Sequence, residues 1–116
     1  MNQLDVLRHE FRAEEGSFLL TLRTEYDWDR AAFTRLEQAM RAVAAEYADR
    51  DQLDRWLADG YYYVATYVPA LTQHPDFPRP SPDDYYEACI RRLDVLAAWF
   101  FSGQPYYREP HTWEPL

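Results

Sequence analysis

Glycine is scarce in this chain. Only three occur, at positions 16, 60 and 103. A phosphate-cradling loop needs several glycines close together, so glycine-rich nucleotide loops are excluded. Cys89 is the single cysteine. No internal disulfide can form, and a reducing cytoplasm is the expected setting. Lysine is absent, and all 12 basic residues are arginine. Arginine codons are GC-rich, so this reads as genome composition rather than function. No apolar run approaches the roughly eighteen residues of a membrane span. The first fifteen residues, MNQLDVLRHEFRAEE, are charged throughout and hold no apolar signal region. A cytoplasmic protein without a membrane role is expected.

Basic residues are outnumbered as well. Twenty acids against 12 bases give a net charge of −8, spread over both halves of the chain. Such a field repels nucleic-acid phosphate, and no basic cluster offsets it, so no nucleic-acid partner is expected. A protein partner with a basic surface fits this charge. Plain solubility fits it too.

What is present suits one helical domain. The chain has 116 residues, of which 47% are hydrophobic and 17% aromatic. That is enough for a core without metal or disulfide staples. Few glycines and many Ala, Leu, Arg and Glu favour helix over sheet. The predicted fold is all-α: a bundle of four main helices, near 4–24, 30–48, 52–73 and 83–101, with a loop at 74–82 and an irregular aromatic tail at 102–116.

In the first segment Leu4, Leu7, Phe11, Phe18 and Leu22 share one face. Gly16 weakens it, and SFLLTLRTEY could instead be a strand. The second segment follows the cap-like Asp27-Trp28-Asp29. Its stripe is Phe33, Leu36, Met40, Val43, Ala44 and Tyr47, with Glu37 and Arg41 as an i,i+4 pair off that stripe. The third segment starts near Asp51 as a cap and contains Gly60 and Pro69; a kink or break is expected at the proline. Four prolines in HPDFPRPSP mark the loop. Ser81 and Asp84 form a capping-box pattern around Pro82, and Gly103 is the natural stop of the fourth helix.

The run Tyr61-Tyr62-Tyr63 points in three directions about 100° apart on a helix. The third helix is therefore expected to be central and covered on several sides. Tyrosine suits such a place, because its ring packs while its hydroxyl finds a polar partner.

The usual chemistry-bearing patterns are missing. The three histidines, His9, His74 and His111, show neither the Glu-x-x-His pairs of di-iron bundles nor the spacing of a zinc-protease helix. Cys89 lies on the apolar stripe of the fourth segment and reads as core filler. Ser17, Ser81 and Ser102 lack a nucleophile-elbow context. The many carboxylates fall mostly at caps and polar faces. If Arg92 lies near the apolar stripe it needs a buried acid, with Asp94 or a glutamate of the first segment as partner. No catalytic residue, metal ligand or cofactor is assigned.

Three stretches, SFLLTLRTEYDWDRAAFTRLEQAM, DRWLADGYYYVATYVPALTQHPDFP and YYEACIRRLDVLAAWFFSGQPYY, together resemble a family of small bacterial all-helical proteins of unknown function. The likeness covers about residues 17–107. It rests on Trp28-Asp29 ahead of an Ala-Phe helix, on His74-Pro75, and on the closing Trp99-Phe100-Phe101-x-Gly103. It implies a compact helical domain and carries no catalytic residues.

Two functions follow as expectations. The first is a non-enzymatic acidic module that binds another protein, in the manner of the small acidic immunity proteins that capture basic toxins. The second is a small-molecule- or metal-binding bundle with a pocket under the third helix and the tail. The residues expected to bind ligand or partner are Trp56, Tyr63, Tyr67, His74, Trp99, Tyr106 and Tyr107. A homodimer that uses its own aromatic face is a third arrangement.

Overall fold

The computed structural model of the chain describes residues 2–105 and 113–116. They form five α-helices: α1 (Gln3–Phe11), α2 (Phe18–Glu25), α3 (Arg30–Tyr47), α4 (Arg55–Thr72) and α5 (Asp83–Ser102). The all-α class is as predicted, but the helix expected over 4–24 is two helices. Ala13 and Gly16 both take positive φ, 52° and 86°, and an α-helix cannot continue through that left-handed region. Ser17 then starts afresh, its hydroxyl accepting the Leu20 N–H at 3.2 Å. The stretch SFLLTLRTEY is helix from Phe18 onward, not strand.

α3 is the central helix. It buries nine residues, against six on α4. The side chain of Asp29 caps it by accepting the Ala32 N–H at 3.1 Å. Every residue of the predicted stripe from Phe33 to Tyr47 is buried. α1 and α5 pack against it, and α4 packs chiefly against α5.

The expectation that α4 is covered on several sides is corrected. Tyr61 is fully buried, Tyr63 is partly buried, and Tyr62 is 63% exposed. One face of α4 is open to solvent. Tyr61 belongs to the core: its ring lies flat on Phe100, with centroids 4.0 Å apart and planes 4° apart. Its hydroxyl donates to the Met40 carbonyl at 2.6 Å, which satisfies the polar end of a buried ring.

Several expected caps shift. α4 begins at Arg55 rather than at 52, and Asp51 does not cap it. Asp54 holds the cap position, but its carboxylate is taken by the Tyr47 hydroxyl at 2.7 Å. α4 passes through Pro69 and continues to Thr72, so the proline does not end it. Pro82 stands at the cap of α5 after a cis Ser81–Pro82 peptide, and no side chain, Ser81 included, caps that helix. Gly103 ends α5 in the left-handed conformation as predicted, its N–H donating to Trp99 O at 2.8 Å. Trp113 stacks on Trp99 of α5 with centroids 5.9 Å apart. Among the described residues no helix is long and apolar enough to cross a membrane.

Candidate functional site

A concavity with an aromatic lining lies between α1, α2 and α4. Its volume is about 490 Å³. The local sequence explains its position. α1 ends at Phe11, and Glu10 reaches forward so that its Oε1 accepts the Phe18 N–H at 2.9 Å. That bond ties the end of α1 to the start of α2 and swings Arg23 of α2 opposite α4.

On α1 Arg8 and Phe11 lie three residues apart on one face, and Arg12, at the cap of that helix, lies four residues from Arg8. On α4, Trp56, Gly60, Tyr63 and Tyr67 make a second such stripe. The two stripes meet at Phe11. Its ring stands edge-on to Trp56, with centroids 6.4 Å apart, and edge-on to Tyr61 at 5.8 Å. It rests where Gly60 leaves no side chain, so Gly60 is part of the cleft floor.

Charge is built onto this aromatic floor. The Arg8 guanidinium lies over the Trp56 ring, 4.8 Å from its centroid. Arg23 Nη1 donates to the Tyr63 hydroxyl at 3.3 Å. Tyr67 stacks on Tyr63 with centroids 4.8 Å apart and planes 14° apart. Burial, with the neighbouring Tyr63, pushes the Tyr67 phenol above its ordinary value, so Tyr67 is neutral at physiological pH.

The structure thus brings together Trp56 and Tyr63, with Tyr67 beside them. It does not bring the other expected residues to the same place. His74 lines a second cavity of about 380 Å³ with Tyr26, Leu71 and Phe77. There its Nδ1 accepts the Asp76 N–H at 3.1 Å. Trp99 is buried under Trp113 at the α3–α5 side. Trp56 and Tyr63 thus line one concavity and His74 another, while Trp113 and its neighbours lie against α3 and α5. Tyr106 and Tyr107 lie outside the described residues, as does His111.

The arginines of the cleft were not foreseen, nor were Phe11 and Gly60 as a unit. The sequence signal was present in part: glycine at 60 falls between Trp56 and Tyr63 on one helical face, where it reads as a seat for a foreign ring. Nothing local pairs that seat with α1.

Arg92 does need a buried acid, but its partner is Glu37 of α3 rather than Asp94 or a first-segment glutamate. Arg92 Nη1 sits 2.7 Å from Glu37 Oε1, and Arg41 sits 3.3 Å from Oε2. Both guanidiniums lie over Trp113, at 5.0 and 5.3 Å. This constellation clamps the tail.

Other chemistry is muted. Burial pushes the Cys89 thiol up to about 11 and the Tyr85 phenol beside it up to about 12. Among the described residues no three His, Cys, Asp or Glu side chains gather to hold a metal ion. No family model, curated protein or solved structure matches the chain, so the reading of the cleft rests on its own residues.

Proposed function

We propose that this protein is a binding module that docks a protein partner through the cleft between α1, α2 and α4. The carrying observation is the composition of that face. Trp, Tyr and Arg are the residue types that dominate binding energy at protein interfaces. Here Trp56, Tyr63, Tyr67, Arg8 and Arg23 stand together on one open side of α4. Tyr63 and Tyr67 hold each other by stacking, and Trp56 is held between Phe11 and Arg8, so little side-chain freedom is lost on docking. The unpaired, buried Cys89 suits a reducing compartment such as the cytoplasm.

The test is native mass spectrometry on protein purified from its host, followed by titration with the partner so identified. Trp56→Ala and Tyr63→Ala should each weaken binding about thirtyfold or more, the loss of about 2 kcal/mol that marks a hot spot. Tyr62→Ala, on the same helix but outside the cleft, should leave it unchanged. Loss of binding in Tyr62→Ala with full binding in Trp56→Ala would place the interface elsewhere.

A second reading keeps a basic, immunity-type partner. It is favoured by the exposed acids Asp49 and Asp51 after α3 and Asp83, Asp84 and Glu87 at the start of α5. These acids would steer a cationic protein by long-range attraction. In that case charge reversal at Asp51 and Asp84 slows association, and Trp56→Ala does not alter it.

A further inference from the structure

The cleft runs against the charge of the whole protein. The chain carries −8, yet three arginines, Arg8, Arg12 and Arg23, line one concavity with a single acid, Asp59. Three arginines elsewhere find carboxylates, Arg41 and Arg92 on Glu37 and Arg50 on Glu46, while Arg30 and Arg35 bond to backbone carbonyls; what marks the cleft is its local excess of three arginines over one acid. Among the described residues none of the three cleft arginines makes an ion pair, Asp59 included. In a chain with so many acids, cations left without carboxylates around an aromatic floor are a local reversal of sign.

Two of these guanidiniums are also held in place before any ligand arrives. Arg8 is stacked on Trp56, and Arg23 is bonded to Tyr63 through one nitrogen. Stacking uses the face of a guanidinium and leaves its N–H edges free for a planar anion. The anchoring rings lie seven residues apart on α4, a separation of roughly 10 Å along the helix. Two separated anionic groups suit such a pair of seats better than one does. A polypeptide supplies them: residues three apart along an extended, polyproline-type chain span about 9 Å. The partially buried aromatics between them offer a surface for an apolar residue.

We infer that the cleft receives an acidic segment of the partner protein, with two carboxylate side chains about 9–10 Å apart seated on Arg8 and Arg23 and an apolar residue on the aromatic floor between them. This rests on the proposed docking role of the cleft. Arg12, one turn from Arg8 on α1, adds positive potential at the rim.

The test uses the full chain, isotope-labelled and followed by NMR, with a capped hexapeptide probe carrying two glutamates three residues apart and a phenylalanine between them. The expected result is a shift of the Trp56 indole and Gly60 amide signals. Arg8→Gln and Arg23→Gln should each weaken the probe tenfold or more, and raising salt should weaken it further. The inference is overturned if the probe shifts nothing at millimolar concentration. It is overturned too if the same peptide with lysines for glutamates binds there instead. Equal shifts from inorganic phosphate, at equal affinity, would make the cleft a small-anion site and also overturn it. The two ideas fail separately. If the natural partner needs Trp56 but is indifferent to Arg8→Gln and Arg23→Gln, docking stands and the acidic segment falls. If the probe binds the arginines while Trp56→Ala leaves the partner unaffected, the docking role falls instead.

Discussion

Phe11 of α1 rests directly on the backbone of Gly60 in α4, and a Cβ at residue 60 would overlap the phenylalanine ring. The glycine therefore serves packing between helices, at the expense of helix propensity. Alanine would gain about 1 kcal/mol as a better helix former. It would lose about 1–3 kcal/mol by overpacking against the ring. Gly60→Ala is expected to lower stability in urea denaturation. In a Phe11→Ala background the ring is gone, and the same Gly60→Ala change is expected to raise stability. The reversal of sign is what the contact requires, and an equal effect in both backgrounds would sink it.

Glu37 is a buried acid, 4% exposed, held by Arg92 and Arg41 together. Glu37→Ala leaves Arg92 partly buried without its charge partner and is expected to cost about 3–5 kcal/mol. Glu37→Leu combined with Arg92→Leu removes both charges and should recover most of that loss. Arg92 also donates to the Glu114 carbonyl at 2.6 Å, so Glu37→Ala should expose residues 113–116 to carboxypeptidase. A tail equally protected in Glu37→Ala would show that Trp99–Trp113 stacking and the two arginines hold it without help from Glu37.

Much of the fold could be read from periodicity, and the reasons differ by element. α3 was legible because Asp29 caps it and its stripe is regular. The split of α1 from α2 was not, because Ala13 takes a left-handed φ that no residue preference announces. The place of Glu37 misled for a related reason. On the helix it looks like the polar half of an i,i+4 pair with Arg41, a pair that does form. Its burial comes from Arg92, 55 residues away. The cleft was half legible in the same sense. Trp56, Tyr63 and Tyr67 share one face of one helix, so spacing finds them. Arg8, Arg12 and Arg23 come from α1, its end and α2, and tertiary contacts such as the bond from the Phe18 N–H to Glu10 bring those segments round. His74 and Trp99 were grouped with the site on aromatic and titratable character alone, and tertiary packing sends them elsewhere.

Cys89 is expected to be inert in the folded protein. Burial raises its thiol to about 11, so at pH 8 roughly one molecule in a thousand carries the reactive thiolate. An aromatic disulfide reagent at pH 8 should leave the native protein unlabelled for hours and label it at once in urea. Rapid labelling of the native state would mean that the α5 core opens often.

Glu10 sets a pH dependence whose direction can be worked out. It is 1% exposed, and burial, opposed by the Phe18 N–H bond and by nearby His9 and Arg35, raises its carboxyl above the ordinary 4.5. The folded state therefore holds this proton more tightly than the unfolded chain does. The stability it contributes is fully present below the unfolded value of 4.5 and is lost as pH rises through the higher folded value. Neutral pH is thus the unfavourable side for this one group. Glu10→Gln keeps an oxygen to accept the Phe18 N–H but cannot ionise, so it should remove this component of the pH dependence. Urea midpoints measured at pH 4, 5.5 and 7 should show the variant gaining on the native sequence as pH rises. If the native sequence instead gains on the variant towards pH 7, the charge on Glu10 is worth more to the α1–α2 junction than its burial costs. The hydrogen bond from the Phe18 N–H would then be one to an ionised carboxylate.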